Sequence, residues 1–253
     1  MGTSDSPFVS VEMETVIRIK NIVKRYPGDI KAISNLTLNV QKGIFGLLGP
    51  NGSGKTTLIQ ILTGVIRPTS GSVEILGYDL KKQLSFIKRD IGYLPEYPGM
   101  YEDMTGMSFL RYMGRLSGLN KKEARNSAKR SLKEADLEKW EDVKIRKYSA
   151  GMKQRIAFAQ SLLNDPQIVF LDEPTKGLDP MERQKVLSRI EKIGEQGKTV
   201  FLSSHILVEI ERVAGCIAII STGRVLFQGS SEEVKREGGL SSLYGEVLIG
   251  EGL

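Results

Sequence analysis

Scarcity frames this chain: among 253 residues there is one cysteine, one histidine and one tryptophan. The single thiol, Cys216, excludes an intrachain disulfide and a cysteine-built metal site. Next to Ile217-Ala218-Ile219-Ile220 it reads as a small buried apolar residue. Long apolar runs are absent too, and none approaches the ~20 residues that a membrane-crossing helix needs. Early acids at Asp5, Glu12 and Glu14 break the basic-then-apolar layout of a secretion signal, so a cytosolic polypeptide is expected. Sustained heptads, internal repeats and low-complexity segments are missing, which argues against coiled coils and solenoids.

What remains is an ordinary globular composition, 40% hydrophobic and 26% charged, enough for one or two closely packed domains. The formal charge of +6 invites a nucleic-acid partner. However, the densest basic stretch, Lys121 to Lys147, is interleaved with Glu123, Glu134, Asp136, Glu138, Glu141 and Asp142. That is the pattern of a solvated helical face, and no nucleic acid is expected. Residues 1–14, rich in Ser, Gly and Pro at their start, are expected to form a loose tail.

Periodicity supplies the architecture. Val16 to Ile22 and Ile33 to Val40 alternate with period two and predict an antiparallel patch, joined by Val73 to Gly77. Ile91 to Leu94 is a further strand. Residues 95–166 turn helical, with helices predicted over Met107–Leu116, Lys121–Ala135 and Ala150–Leu163. Strands then alternate with helices again: Gln167–Leu171, Pro180 to Ile193, Thr199–Ser203, Ile206–Val213 and Ile217–Ile220. This predicts an open, mostly parallel α/β sheet with a helical insertion, residues 15–94 and 167–229 forming one lobe and 95–166 the other. Residues 230–253 are expected to hold a small helix near Ser231–Glu237 and a ragged end.

The chemistry begins at Gly49-Pro50-Asn51-Gly52-Ser53-Gly54-Lys55-Thr56, a glycine-rich turn between an apolar strand and a helix predicted from Thr57, itself a candidate nucleotide contact, to Gly64. Backbone N–H groups wrap a polyphosphate only where the chain turns through conformations that side chains forbid, hence Gly49, Gly52 and Gly54. Lys55 brings positive charge to the β- and γ-phosphates. The Thr56 hydroxyl suits Mg²⁺, and the helix mouth faces the anion. Asp172-Glu173 end an apolar strand at the carboxyl edge where open sheets bind ligands. There Asp172 suits Mg²⁺ through its coordinated waters, and Glu173 suits the deprotonation of a water attacking the γ-phosphate. His205 follows the next strand on the same edge, placed to hold that water and the phosphate. Tyr148-Ser149-Ala150-Gly151-Met152-Lys153-Gln154 opens a helix. Ser149 is a natural N-cap, and Gly151 leaves the helix mouth bare for a phosphate.

The order of these pieces, from about Val16 to Gly229, with Gly177-Leu178-Asp179 between Glu173 and His205, resembles the ATP-binding subunit of an ATP-binding-cassette (ABC) transporter. The resemblance implies a P-loop NTPase with a RecA-like sheet, ATP and Mg²⁺ as ligands, and a head-to-tail dimer. In that dimer Ser149 and Gly151 of one subunit cover the phosphate held by Lys55 of the other. It also implies Asp179 along the dimer seam and Tyr26 stacked on adenine; a packed strand-end aromatic explains Tyr26 equally well. A separate membrane permease would be the partner, holding this subunit on the cytoplasmic face; the signature and glutamate variants look similar to export-type subunits, with direction and cargo left open. The rival is a soluble ABC ATPase such as one of iron–sulfur assembly. Tyr148, Ala150 and Met152 depart from the usual Leu-Ser-Gly-Gly-Gln signature. Glu96 stands where a glutamine usually reaches Mg²⁺, adding negative charge near the metal. Tyr97 to Tyr101 and Met104 suit either a groove for a partner helix or local packing.

Overall fold

The computed structural model describes residues 14–250, so the expected N-terminal tail lies almost wholly outside the described residues. In chain order the strands are β1 (Thr15–Tyr26), β2 (Ile30–Gln41), β3 (Ile44–Leu48), β4 (Ser70–Ile75), β5 (Tyr78–Asp79), β6 (Ile91–Leu94), β7 (Ile168–Asp172), β8 (Thr199–Ser204), β9 (Cys216–Ser221) and β10 (Arg224–Ser230). The α-helices are α1 (Lys55–Leu62), α2 (Leu84–Asp90), α3 (Gly106–Leu116), α4 (Lys121–Glu134), α5 (Ala150–Ser161), α6 (Pro180–Glu195), α7 (Leu207–Val213), α8 (Ser231–Arg236) and α9 (Leu240–Gly250).

Two sheets result. The first is antiparallel, in the order β2-β1-β4-β5, and its period-two pattern puts Ile17, Ile19, Leu36, Leu38 and Val40 into the core. The second, in the order β10-β9-β3-β8-β7-β6, is parallel except at its β10 edge. Its central strands are apolar on both faces because both are covered: β7 and β8 are buried along their whole length. One apolar cluster lies between the antiparallel sheet, α1 and β3. A second lies on the opposite face under α6, α7 and α9, and a third lies within α3, α4 and α5. The basic residues of α4 stand outward while Ala124, Ala128 and Leu132 point in, as a solvated face requires.

Three differences from the sequence reading have physical causes. Helix α1 begins at Lys55 rather than Thr57, because Gly54 turns the chain at φ 106° and caps it. Strand β10 was not anticipated. Its hairpin turn is Thr222-Gly223, with φ 46° and 74°, a left-handed pair that an Asn-Gly would have advertised and a Thr-Gly does not. The end after residue 239 is not ragged: α9 buries Leu240 and Leu243 in the second cluster.

Candidate active site

The phosphate loop leaves β3 and enters α1, and its glycines serve different needs. Gly52 and Gly54 take positive φ, 79° and 106°, whereas Gly49 is required by proximity. A Cβ there would lie 2.2 Å from the Ile220 carbonyl oxygen. The β9–β10 hairpin braces the loop from behind, with Gly223 N donating to Ser53 O at 2.9 Å. Lys55 is 6% exposed. Its Nζ donates to the carbonyls of Gly49 (2.7 Å) and Pro50 (3.1 Å) and lies 3.4 Å from Glu173 Oε1.

The ends of β7 and β8 meet that lysine. Glu173 is buried at φ 49°, its N–H donating to Ser203 O and Oγ, and its Oε2 sits 2.8 Å from His205 Nδ1. An ionised carboxylate only accepts, so this contact puts a hydrogen on Nδ1. Glu173 therefore bridges Lys55 and His205. Asp172 is fully buried, and its Oδ1 accepts from Ser203 Oγ at 2.6 Å. Burial pushes the Asp172 carboxyl above its ordinary value. The Ser203 hydrogen bond and the neighbouring Thr56 hydroxyl oppose the shift, and the nearby Glu96 and Glu173 charges add to it. Burial, with the Asp172 and Glu96 charges adding to it, pushes Tyr93 up to about 12.

No cluster of three or more His, Cys, Asp or Glu able to hold a metal occurs among the described residues. Mg²⁺ keeps several waters and takes one or two protein groups together with phosphate oxygens. Asp172 Oδ2 is buried without a hydrogen-bond partner, and the Thr56 hydroxyl neighbours the same carboxylate. This donor pair fits the ion.

Asn51, Gly52, Ser53, Gly54, Lys55, Thr56, Thr57, Glu96, Glu173 and His205 all line one cavity of about 470 Å³. The sequence reading placed no cation there beyond Lys55, but Lys176 and Arg183 also line it. Lys176 is paired with Glu96 and donates to Tyr97 Oη at 2.8 Å, its ammonium 4.8 Å from the Tyr97 ring centroid. The negative charge of Glu96 is thus balanced within the chain, and the pairing with Glu96 and then Tyr97 raises Lys176 well above its usual value. Arg183 Nε lies 3.3 Å from the buried Glu209.

Other candidate residues stand apart from the cavity. Ser149 caps α5 by accepting from Met152 N at 3.2 Å, and Gly151 faces Glu182, whose Cγ would be 3.2 Å from an added Cβ. Asp179 caps α6, accepting from Met181 N and Glu182 N at 2.9 Å. Tyr26 closes β1 half-buried, with Lys24 Nζ 5.0 Å from its ring centroid. Met100 and Met104 pack on the apolar clusters, whereas Tyr97 and Tyr101 are exposed.

A family model described as "ABC transporter" matches residues 33–176. A daunorubicin resistance ATP-binding protein of Streptomyces coeruleorubidus is 37% identical over 227 residues, covering 89% of this chain and 72% of that protein. A bacitracin transport ATP-binding protein of Bacillus licheniformis is 38% identical over 228 residues, 88% of this chain and 72% of its own length. An uncharacterized ABC transporter ATP-binding protein of Synechocystis is 43% identical over 211 residues, and the matched chain spans 58% of its length. Among solved structures, an ATP-binding subunit of an ABC transporter superposes with TM-score 0.82 at 30% identity, over 92% of this chain and all of the other. A dimeric ATP-binding cassette bound to ADP and Pi superposes with TM-score 0.78 at 28% identity, over 85% of this chain and 98% of the other.

Proposed function

The chain belongs to the ABC transporter family, and from that premise we propose that it is the Mg²⁺-dependent ATPase of an export-type transporter, driving a separate membrane permease. The observation that carries this is the contact chain Lys55–Glu173–His205 at one sheet edge, 3.4 Å and 2.8 Å long, beside the phosphate loop. Lys55 and the loop N–H groups bind the β- and γ-phosphates of ATP. Thr56 and Asp172 would hold Mg²⁺, which when bound supplies charge neutralisation on those phosphates. Glu173 accepts the proton of the water that attacks the γ-phosphorus as the bond to the β-phosphate oxygen breaks. His205 keeps Glu173 and the water aligned.

Ser149 and Gly151 do not line the cavity formed by the chain that carries them. Their position apart from it is compatible with a helix mouth that faces the γ-phosphate held by a second ATP-binding subunit, two subunits closing head to tail on two ATP. The exposed Tyr97 and Tyr101 are assigned to the permease contact. No described helix is long and apolar enough to cross a membrane, which fits a subunit held at the cytoplasmic face by its permease. The daunorubicin-resistance and bacitracin-transport relatives favour export over the soluble iron–sulfur alternative.

Analytical ultracentrifugation of Glu173→Gln tests the reading. Saturating Mg-ATP should convert the variant from monomer to dimer, and withdrawal of Mg²⁺ should reverse it. A variant that binds ATP yet stays monomeric, alone and with the co-expressed permease, would overturn the sealed-dimer reading.

A further inference from the structure

Glu209, in the first turn of α7, is 1% exposed, and none of the chemistry above uses it. A carboxylate taken this far out of water is tolerated only when paired and hydrogen-bonded. Its partners come from three separate segments. The Thr175 hydroxyl lies 2.8 Å from each carboxylate oxygen, Ser204 Oγ donates to Oε2 at 2.9 Å, and Arg183 Nε lies 3.3 Å from Oε1. Thr175 is two residues past Glu173, and Ser204 immediately precedes His205. Ser204 Oγ also accepts from Ile206 N at 3.0 Å, so the turn that carries the imidazole is gripped from both sides.

One carboxylate thus ties together the two loops whose side chains must meet at 2.8 Å. We propose that Glu209 is a positioning residue that holds the Glu173 and His205 segments in register, with Thr175 and Ser204 as its two arms and Arg183 as its counter-ion. The inference rests on the reading of Glu173 as the base. Both catalytic side chains sit just past strand ends: the last paired residues are Asp172↔Ser203, and one further backbone bond, Glu173 N–H to Ser203 O at 3.2 Å, continues the ladder. The buried carboxylate takes over where the ladder ends.

The test pairs steady-state kinetics with an NMR signal from the only imidazole in the chain. Glu209→Gln keeps the shape and some of the hydrogen bonds but removes the charge. It should lower kcat about tenfold and leave KM for ATP within about twofold, because grip on the nucleotide is untouched while alignment is lost. The His205 signal should move toward its position in Glu173→Gln. Thr175→Val should do the same to a lesser degree, and Thr175→Ser, which keeps the hydroxyl, should recover most of the lost rate; this pair decides the matter if Glu209→Gln fails to fold. Wild-type kcat and an unmoved imidazole signal in both Glu209→Gln and Thr175→Val would overturn the proposal. Full turnover in Glu173→Gln would instead remove the base reading, and the imidazole signal would still decide whether Glu209 sets the register.

Discussion

The cavity at the ends of β3, β7 and β8 and the mouth of α5 hold their polar groups in opposite ways. In the cavity the charges are on buried side chains locked to their neighbours, Lys55 to two carbonyls and Glu173, Asp172 to Ser203, and Glu173 also to the more exposed His205. At the helix mouth the useful groups are backbone N–H dipoles, with Ser149 as the cap and Gly151 as the bare position. Charge fixed before substrate arrives favours chemistry, whereas a helix terminus favours recognition of an anion. The difference explains where the sequence is free to vary. Tyr148 and Met152, which depart from the usual signature, turn inward to the third apolar cluster, and Tyr148 Oη donates to Trp140 O at 2.8 Å. They are packing choices and leave the mouth's N–H groups as they are.

The sharpest way to break the comparison is Glu173→Gln, which removes the base and keeps the shape. Turnover should fall roughly 10²- to 10⁴-fold with ATP binding retained, measured by phosphate release and equilibrium binding. Gly151→Val acts on the other region, pushing a branched side chain against Glu182. ATP-driven pairing should weaken by about 1–3 kcal/mol in sedimentation while each monomer binds nucleotide as before; lowered monomer affinity would erase the distinction between the two regions.

Asp172→Asn probes what the locked charges cost. The carboxyl is raised by burial, so the folded state binds its proton more tightly than the unfolded state. The penalty for ionising it is full above the folded pKa and fades as pH falls toward the ordinary 3.8. Near neutrality the variant should melt higher by on the order of 1 kcal/mol while losing Mg-ATP turnover, and the gap should close on acidification. The smallest effect belongs to Glu96→Gln. Its pair with Lys176 is partly exposed and screened by solvent, so stability should hardly move, as thermal unfolding would show. Mg²⁺ titrations of turnover should nonetheless separate from wild type; superimposable curves would remove any role of Glu96 at the metal.

Local spacing made the phosphate loop, the Asp172-Glu173 strand end and the α/β alternation legible, because each is written in consecutive residues. The partners that fix the site were not. Lys176 gains meaning from Glu96, and Glu209 from Thr175, Ser204 and Arg183, all brought close only by the crossing of loops at the sheet edge. Helix α9 was there to be read, in the apolar spacing of Leu240, Leu243, Tyr244 and Val247 just after the Gly238-Gly239 pair. Those glycines, at φ 87° and 94°, make a sharp joint between two helices.

That joint has a mechanical outcome. α9 shares an apolar cluster with Ile210 and Val213 of α7, so the far end of the described chain props the helix from which Glu209 reaches the imidazole turn. Trimming after residue 239 would take away the prop without touching a single atom that meets nucleotide, and would slacken the machine from behind.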